Sequence, residues 1–352
     1  MPPSDSPQPS IVGWDIGGAH LKAASVAAGH LHGVAQWPCE LWRGMSELDN
    51  AFDVALTCFP VRADTLHAVT MTGEMTDLFD DRESGVMAIA RCVARVLGER
   101  TAFFAADGEF VQAADVHRRW RAIASANWSA TARLIANTVP DALLVDVGST
   151  TTDIVPIVGG RVASRARDDA DRLACGELVY VGVVRTPLCA LAHRIDFGGR
   201  ECNVMNEFFA TTADVFRLTG ELRAEHDQAG TADHAGKDVP ATRRRLARMI
   251  GRDARDASDE DWVAFARAWR TAVIDEIAAN VERVVRDAKL APDAPVIGAG
   301  CGSDLASRLA VAAGRRYVDF DVIAGVPADA GVWARVCAPS VAVALLLNAH
   351  IA

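Results

Sequence analysis

One pattern of strands and glycine turns occurs twice in this chain, first around Asp15 and again around Asp146. In each copy a short apolar strand runs into a glycine turn, a second strand follows, and another glycine turn leads to a third strand. The predicted strands are residues 11–16, 20–26 and 31–37 in the first copy and 143–147, 152–158 and 161–164 in the second. An internal repeat of this kind indicates two structural units of the same design. The chain is therefore predicted to be an α/β protein built by duplication.

Length and composition agree with two domains in one globular protein. The chain has 352 residues, of which 50% are hydrophobic and 23% are charged, so it can bury two cores of ordinary size. A Pro/Ser-rich start predicts a disordered tail over residues 1–10. The predicted domains are a first lobe over 11–140, a second lobe over 141–338 with a helical, charged insertion at about 207–290, and a C-terminal helix over 339–352 that packs back on the first lobe.

Charge, hydropathy and cysteine spacing exclude several classes of function. A formal net charge of -10 argues against a nucleic-acid-binding surface. No window has the length and apolarity of a membrane-spanning helix, and residues 1–10 do not resemble a secretory signal. The 8 cysteines include no C-x-x-C pair, which argues against a zinc site and a disulfide framework. The sequence predicts a cytoplasmic protein without nucleic-acid or membrane partners.

Three glycine-rich turns follow predicted buried strands, and their residue types suit a phosphate group. Small residues allow several backbone N–H groups to approach an anion closely, while hydroxyls and a lysine add donors and positive charge. The predicted phosphate-binding residues are Gly17, Gly18, Ala19, His20 and Lys22 in the first turn and Gly148, Ser149, Thr150 and Thr151 in the second. The third predicted turn contains Gly298, Gly300, Gly302 and Ser303.

Acidic residues near these turns are the candidates for metal binding and proton transfer. Asp15 and Asp146 lie where a strand meets a turn, and a carboxylate there can hold Mg²⁺ or another divalent cation. Lys22 is a candidate catalytic point charge. For the proton transfer required by the reaction that a family resemblance implies below, Glu74 and Asp77 are candidate bases and Asp153 is a competing one. Glu74 has the alternative of capping the segment that follows it.

Several other polar residues have two interpretations each. Arg165, Arg167 and Arg172 form a basic group after the second turn that either binds carboxylates of an acceptor or is a solvated face. His20 either contacts phosphate or is a turn histidine whose ring has its hydrogen-bond partners within the protein. Cys301 lies in the third turn with no histidine arrangement that would make it a nucleophile, so close packing explains it.

The order and the residue sequences of the three turns are similar to the phosphate-1, phosphate-2 and adenosine motifs of the actin, sugar kinase and Hsp70 superfamily. Within it, the chain resembles the hydantoinase/oxoprolinase-related group over residues 11–349. The stretches 69–77 and 203–215 are similar to a narrower family, the tetrahydromethanopterin-linked C1-transfer pathway proteins, whose archaeal relatives make the methanofuran precursor. The resemblance implies an actin-like (ribonuclease H-like) duplicated two-lobe fold with an interdomain cleft.

The narrower resemblance also implies a reaction. Its archaeal members join an aminomethylfuran-methyl diphosphate to the phenol oxygen of γ-glutamyltyramine and release pyrophosphate. The expected partners are thus a small-molecule diphosphate donor and a phenolic acceptor of the tyramine or tyrosine type, and a homodimer is the default expectation. Two alternatives stay open: an ATP-dependent small-molecule kinase or hydantoinase-like hydrolase of the same superfamily, and a nucleotide-gated regulatory protein. ATP is expected only under these alternatives.

Overall fold

The computed structural model describes residues 10–351, and the predicted tail lies outside them apart from Ser10. Contacts divide the chain into two compact units, each described by itself below. The first unit holds the described residues as far as Asp141, the segment Ile157–Ala163, and the residues from Asp319 onward. The second unit holds Ala142–Pro156 and Ser164–Val318.

The elements alternate between strands and helices through most of the described chain. In chain order the strands are β1 (Ile11–Ile16), β2 (His20–Ala27), β3 (His30–Pro38), β4 (Leu66–Met71), β5 (Thr101–Phe104), β6 (Phe110–Gln112), β7 (Ala142–Val147), β8 (Thr152–Val158), β9 (Arg161–Val162), β10 (Leu178–Val179), β11 (Arg194–Phe197), β12 (Arg200–Asn203), β13 (Val296–Ala299) and β14 (Tyr317–Asp319). The helices are α1 (Met45–Cys58), α2 (Arg82–Leu97), α3 (Val116–Ile123), α4 (Asn127–Ala136), α5 (Asp169–Cys175), α6 (Leu188–Leu191), α7 (Thr212–Leu218), α8 (Val239–Arg248), α9 (Asp259–Ala288), α10 (Ser303–Ala312), α11 (Phe320–Ile323), α12 (Gly331–Val336) and α13 (Ala338–Ile351).

The two main sheets repeat one arrangement, which confirms the predicted duplication. The first sheet has the order β3-β2-β1-β4-β5-β6, and the second has the order β10-β8-β7-β13-β14 with β9 paired to β8. In the first, β1 pairs with β4 in parallel and with β2 in antiparallel orientation. In the second, β7 pairs with β13 in parallel and neighbours β8. The run β2-β1-β4-β5 thus corresponds to β8-β7-β13-β14.

The C-terminal helix α13 packs on the sheet of the first unit. It contacts β1, β2 and β4, and its residues from Ala338 to Ala344 are buried. The approach to β1 requires a glycine, because a Cβ at Gly13 would lie 2.9 Å from both the backbone nitrogen and the Cβ of Ala344. A helix that is apolar on every side is thereby buried, as its composition requires.

Two segments lie in the first unit although the sequence predicts them in the second lobe. They are Ile157–Ala163 and the stretch from Asp319 to 338. The first is held by hydrogen bonds from Gly160 N to Pro140 O (2.7 Å) and from Gly159 N to Asp141 Oδ1 (3.1 Å). The second joins the first unit because α12 packs on β3 and α13. Strand order along the chain could not reveal these contacts.

The helical spacing of Trp262, Phe265 and Trp269 in the sequence predicts one buried aromatic stripe in the insertion, and the structure confirms it as a core face. Helix α9 begins after Ser258, whose hydroxyl accepts from Asp261 N in a capping box. One face buries the residues Trp262, Phe265, Trp269, Val273, Ile277 and Val281. The first three pack with α7, α8 and β11 in one apolar cluster, and the last three pack with β7 and β13 in another. Among residues 10–351, no helix combines the length and apolarity that a membrane crossing needs.

His67 is a buried ionisable residue in the core of the first unit. It lies on β4 with no solvent exposure, and its Nδ1 accepts a hydrogen bond of 3.1 Å from Trp14 Nε1. Burial lowers the pKa of His67 from 6.5 to about 4, because the charged imidazolium would lose its hydration. The folded protein therefore holds this histidine neutral where the unfolded chain already binds a proton.

This difference predicts a loss of stability in mild acid. Since the folded pKa is depressed, the contribution of His67 is present above about pH 6.5 and is lost as the pH falls toward 4. Between pH 7 and 4.5 the free energy of unfolding should fall by about 2 kcal/mol more in the wild type than in His67→Gln, which keeps an acceptor for Trp14. Urea titrations at both pH values measure this difference. A substitution of the exposed His30 by Gln should behave as the wild type, and equal acid losses in all three proteins would contradict the assignment.

Candidate active site

Asp15 and Lys22 form the charged pair of the first turn. Asp15 is buried near the end of β1, and the antiparallel register sets it opposite Lys22 on β2. Lys22 Nζ lies 3.6 Å from Asp15 Oδ2. A buried carboxylate is costly without a compensating charge, and the lysine provides it. The predicted metal ligand and the predicted point charge are thus direct neighbours.

The first turn itself is closed by backbone hydrogen bonds. Gly17 N donates to His20 O at 2.9 Å, and the carbonyls of Gly18 and Ala19 accept from Leu41 N (3.1 Å) and Cys39 N (2.9 Å). A Cβ at Gly18 would lie 2.8 Å from Thr76 Cγ2, so the loop after β4 packs directly against this turn. His20 is buried within it. The glycines are therefore required for packing as well as for the predicted approach of an anion.

Glu74 lies in the 3₁₀ turn Gly73–Met75 that follows β4, and only 1% of its surface is exposed. Its Oε1 accepts a hydrogen bond of 2.7 Å from Ser125 Oγ. Arg82 Nη2 lies 3.6 Å from the same oxygen and donates to Ser125 Oγ at 3.0 Å. The carboxylate of Glu74 is thus fixed by a hydroxyl and a guanidinium that the sequence did not identify.

Glu74 does not cap helix α2. That helix is capped by Asp81, whose side chain accepts from Ser84 N at 2.7 Å while Ser84 Oγ returns a bond to the cap residue. Asp77, the neighbouring candidate base, is exposed. Of these two candidate bases, Glu74 is the buried one, and a hydroxyl and a guanidinium lie beside its carboxylate.

The second turn is held in place by the segment 181–186. Gly148 N donates to Thr151 O at 2.8 Å, which closes the turn. The carbonyl of Gly148 accepts from Val183 N, and that of Ser149 accepts from both Val184 N and Arg185 N at 2.9–3.0 Å. A Cβ at Gly182 would lie 2.5 Å from Thr150 N and 2.6 Å from Ser149 C. Only glycine permits this contact between two stretches of backbone.

Arg185 brings positive charge to the second turn. Its Nη1 lies 3.4 Å from Thr150 Oγ1, and Thr150 Oγ1 is 3.4 Å from Ser149 Oγ. Thr186, next in the chain, accepts from Gly182 N at 2.9 Å and so fixes the bend of the segment. A guanidinium and two hydroxyls within hydrogen-bond range of one another suit a phosphate oxygen.

The third turn packs on the base of the second. Gly302 N donates to Val147 O at 2.8 Å, and a Cβ at Gly300 would lie 2.5 Å from Asp146 Oδ1. Gly300 also has φ +82, which favours glycine. Gly298 lies under the Tyr317 ring, whose hydroxyl donates to Ser303 O at 3.2 Å. In the second unit the structure therefore brings both predicted turns together at Asp146.

Asp153 accepts a 2.7 Å hydrogen bond at Oδ1 from Nη2 of Arg172, which is 1% exposed. Arg172 also donates to Glu177 O at 3.0 Å. Both predicted roles for Arg172, acceptor binding and a solvated face, are therefore wrong, since it is a buried partner of Asp153. Arg165 and Arg167 are exposed. Burial raises the pKa of the neighbouring Glu177, although its bond from Ser164 and the charge of Arg172 act in the opposite direction.

Metal binding would rely on single carboxylates. Residues 10–351 hold no group of three or more His, Cys, Asp and Glu side chains arranged to bind a metal ion. Mg²⁺ commonly takes one or two carboxylates and completes its shell with water and substrate phosphates. Asp146 fits this mode as a carboxylate near a strand end, where the third turn packs against it. Asp15 fits it as a buried carboxylate at a strand end.

Three residues of these sites were not identified from the sequence: Arg82, Ser125 and Gly182. Ser125 lies 51 positions from Glu74 and 43 from Arg82, and neither Ser125 nor Arg82 has a local pattern of its own. Gly182 does have a signal, because a glycine within the apolar run 181–184 is typical of a close backbone approach.

The model of the hydantoinase/oxoprolinase family matches residues 65–348. The chain belongs to the hydantoinase/oxoprolinase family. One relative of this hydantoinase/oxoprolinase-family protein is the (4-{4-[2-(γ-L-glutamylamino)ethyl]phenoxymethyl}furan-2-yl)methanamine synthase of Methanocaldococcus jannaschii. The two sequences are 31% identical over 277 residues, which cover 78% of this chain and 82% of the relative. It is 36% identical over 142 residues to the enzyme of that name from Methanococcus vannielii, covering 40% of this chain and 64% of the relative.

The fold also has a match among solved structures. The nucleotide-free structure of an acetone carboxylase aligns with this protein at a TM-score of 0.54 and 8% sequence identity. The alignment covers 97% of this chain and 70% of the acetone carboxylase chain. Together with the repeated strand order, this likeness supports the predicted actin-like duplicated fold. At such low identity it describes the fold and nothing of the chemistry.

The contact between Gly182 and the second turn predicts a sharp effect of one methyl group. Gly182→Ala should lower the free energy of unfolding by about 1–3 kcal/mol, because its Cβ would overlap backbone atoms that are fixed by hydrogen bonds. Gly230→Ala is the matched control, since its Cβ would meet no atom within 4 Å. Thermal and urea denaturation of both variants test the expectation. Equal stabilities would mean that the 148–151 turn can move aside.

Proposed function

We propose that this protein is a transferase of methanofuran-type cofactor biosynthesis. It joins an aminomethylfuran-methyl diphosphate to the phenol oxygen of a tyramine- or tyrosine-type acceptor and releases pyrophosphate. The observation that carries the proposal is the 31% identity, over 78% of this chain, to the Methanocaldococcus jannaschii synthase. The name of that enzyme describes a phenoxymethylfuran, which is an ether between a phenol oxygen and a furan-methyl carbon.

The proposed reaction exchanges one carbon–oxygen bond for another. The phenol oxygen bonds to the furan-methyl carbon, while the bond from that carbon to the diphosphate oxygen breaks and the diphosphate leaves with the electron pair. The phenol proton passes to a base. Because a furan-methyl carbon tolerates positive charge, departure of the diphosphate can run ahead of attack. Stabilising the leaving group is then the main catalytic task.

The second unit has the residues suited to that task. Arg185 lies beside the hydroxyls of Thr150 and Ser149, and all three can donate to diphosphate oxygens. Helix α10 begins at Ser303 after Gly302, without a side-chain cap, in the turn that packs on Val147. The N-terminus of a helix favours negative charge. These donors would offset the charge that develops as the diphosphate leaves.

The first unit supplies the proposed base and a second set of charges. Glu74 is proposed to take the phenol proton, and its fixed carboxylate suits that role. Lys22, 3.6 Å from Asp15, is proposed to contact a diphosphate oxygen. A divalent cation held by Asp15 or Asp146 would neutralise diphosphate charge. Asp153 is the competing candidate base, and one of its oxygens accepts from Arg172.

An activity assay tests the proposal directly. With an aminomethylfuran-methyl diphosphate, tyramine or tyrosine, and Mg²⁺, the wild type should form the aryl ether and release one pyrophosphate for each ether. Asp15→Asn and Asp146→Asn should each lower kcat/KM at least about a hundredfold, a loss of about 2.7 kcal/mol of transition-state stabilisation. Asp293→Asn, at an exposed aspartate of the second unit, is the control. Full activity in both site variants would contradict the assigned carboxylates.

Arg185 provides a separate test of the diphosphate site. Arg185→Gln should weaken binding of Mg²⁺-pyrophosphate by roughly tenfold or more, because a charged hydrogen bond to an anion is lost. Arg185→Lys should retain part of the affinity through its point charge. Isothermal titration calorimetry measures both. The exposed Arg255→Gln serves as control, and unchanged affinity in Arg185→Gln would remove this residue from the site.

A further inference from the structure

Ser125 lies between two charged side chains in the first unit. Its Oγ donates to Glu74 Oε1 at 2.7 Å and accepts from Arg82 Nη2 at 3.0 Å. Arg82 Nη2 is also 3.6 Å from Glu74 Oε1, so the three groups form a closed triangle. Ser125 and Glu74 are both buried. The triangle connects the loop after β4, the start of α2 and the junction between α3 and α4.

The hydroxyl of Ser125 has only one orientation that serves both neighbours. A serine hydroxyl carries one proton and can accept through its lone pairs, whereas a guanidinium can only donate. Arg82 therefore occupies the accepting side, and the proton of Ser125 points to Glu74. The bond to Glu74 is charge-assisted, and it fixes both the position and the rotation of the carboxylate.

The backbone around this triangle is strained and tightly packed. Ser125 has φ +50, a region that non-glycine residues seldom adopt and that costs of order 1 kcal/mol. On the other side of Glu74, a Cβ at Gly85 would lie 2.9 Å from the Cα and Cβ of Glu74. A buried carboxylate could be balanced by Arg82 alone. The strained serine and the close glycine add a fixed geometry that charge balance does not require.

We infer that Ser125 and Arg82 are positioning residues that hold the Glu74 carboxylate in the orientation needed to remove the acceptor's phenol proton. This inference rests on the function proposed above. The proton moves from the phenol oxygen to Glu74, and Ser125 keeps its own proton throughout. A displacement of a reacting group by about 1 Å can slow a reaction about a hundredfold, so a fixed carboxylate has a direct catalytic value.

The experiment compares two buried serines in similar settings. Ser129 is buried in α4, donates to Ala106 O at 2.7 Å and accepts from Arg133 Nε at 3.2 Å, but it has no contact with Glu74. Ser125→Ala should lower kcat about tenfold or more, move the acid limb of the kcat/KM profile to higher pH, and leave the KM for the diphosphate donor within about twofold. Ser129→Ala should keep the wild-type kcat and pH profile, even if the melting temperature falls in both variants.

A double variant separates positioning from a general loss of structure. If Ser125 acts through Glu74, then Glu74→Gln/Ser125→Ala should be no slower than Glu74→Gln alone. Arg82→Lys should retain part of the activity and shift the acid limb in the same direction. Ser125→Gly removes the hydroxyl and also relieves the positive φ, so it replaces Ser125→Ala if that variant does not fold.

Different assay results would overturn the proposed function and the positioning role of Ser125. A wild-type protein that releases no pyrophosphate overturns the proposed function, and the positioning role is overturned with it. An active wild type in which Ser125→Ala and Ser129→Ala have the same kcat and pH profile overturns the inference alone. Additive losses in the double variant overturn it as well.

Discussion

Close contact between backbone segments is the constraint on which the second unit's candidate site depends. The 148–151 turn is not supported by its own hydrogen bond alone, because three N–H groups of the 183–185 segment donate to its carbonyls. This contact exists only because Gly182 has no side chain, and the third turn reaches Asp146 only because Gly300 has none. The same residues that could expose N–H groups to an anion are therefore the ones that assemble the turns. Packing of the turns and approach of an anion thus require a glycine at the same positions.

A second regularity concerns how the candidate carboxylates are compensated. Asp15 has Lys22, Glu74 has Arg82 and Ser125, and Asp153 has Arg172, each within one unit. Burying an unpaired carboxylate would cost several kcal/mol, so each needs such a partner whatever its function. Because these carboxylates are compensated locally, the charge near the turns is not set by the protein's net charge of -10. Arg185 adds a cation next to the hydroxyl groups of Thr150 and Ser149.

Local features of the fold could be predicted from the sequence, whereas contacts between distant segments could not. The strand and glycine pattern gave the duplicated sheets, and the helical spacing of Trp262, Phe265 and Trp269 gave the buried face of α9. Both depend on neighbours in the chain. Ser125 meets Glu74 across 51 positions, and neither residue type signals the other. In the sequence, Arg172 lies near Arg165 and Arg167 and is therefore interpreted as part of a basic cluster. Its actual partner, Asp153, lies 19 positions earlier on a strand, and no local pattern connects the two residues. Propensity and periodicity carry no information on such pairs, which depend on tertiary packing.

The family match covers the candidate residues of the second unit and only part of those in the first. The match begins at residue 65, so Glu74, Asp146 and Arg185 lie inside it while Asp15 and Lys22 lie before it. The identification of the first turn therefore rests on the internal repeat and on the structure, where Asp15 near the end of β1 corresponds to Asp146 near the end of β7. Duplication makes the two aspartates equivalent in origin but not in chemistry. Asp15 is neutralised by a lysine from the neighbouring strand, whereas Asp146 faces the glycine of the third turn. The two aspartates therefore have different surroundings, a lysine beside Asp15 and the backbone of a glycine turn beside Asp146, although the strands that carry them occupy equivalent places in their sheets.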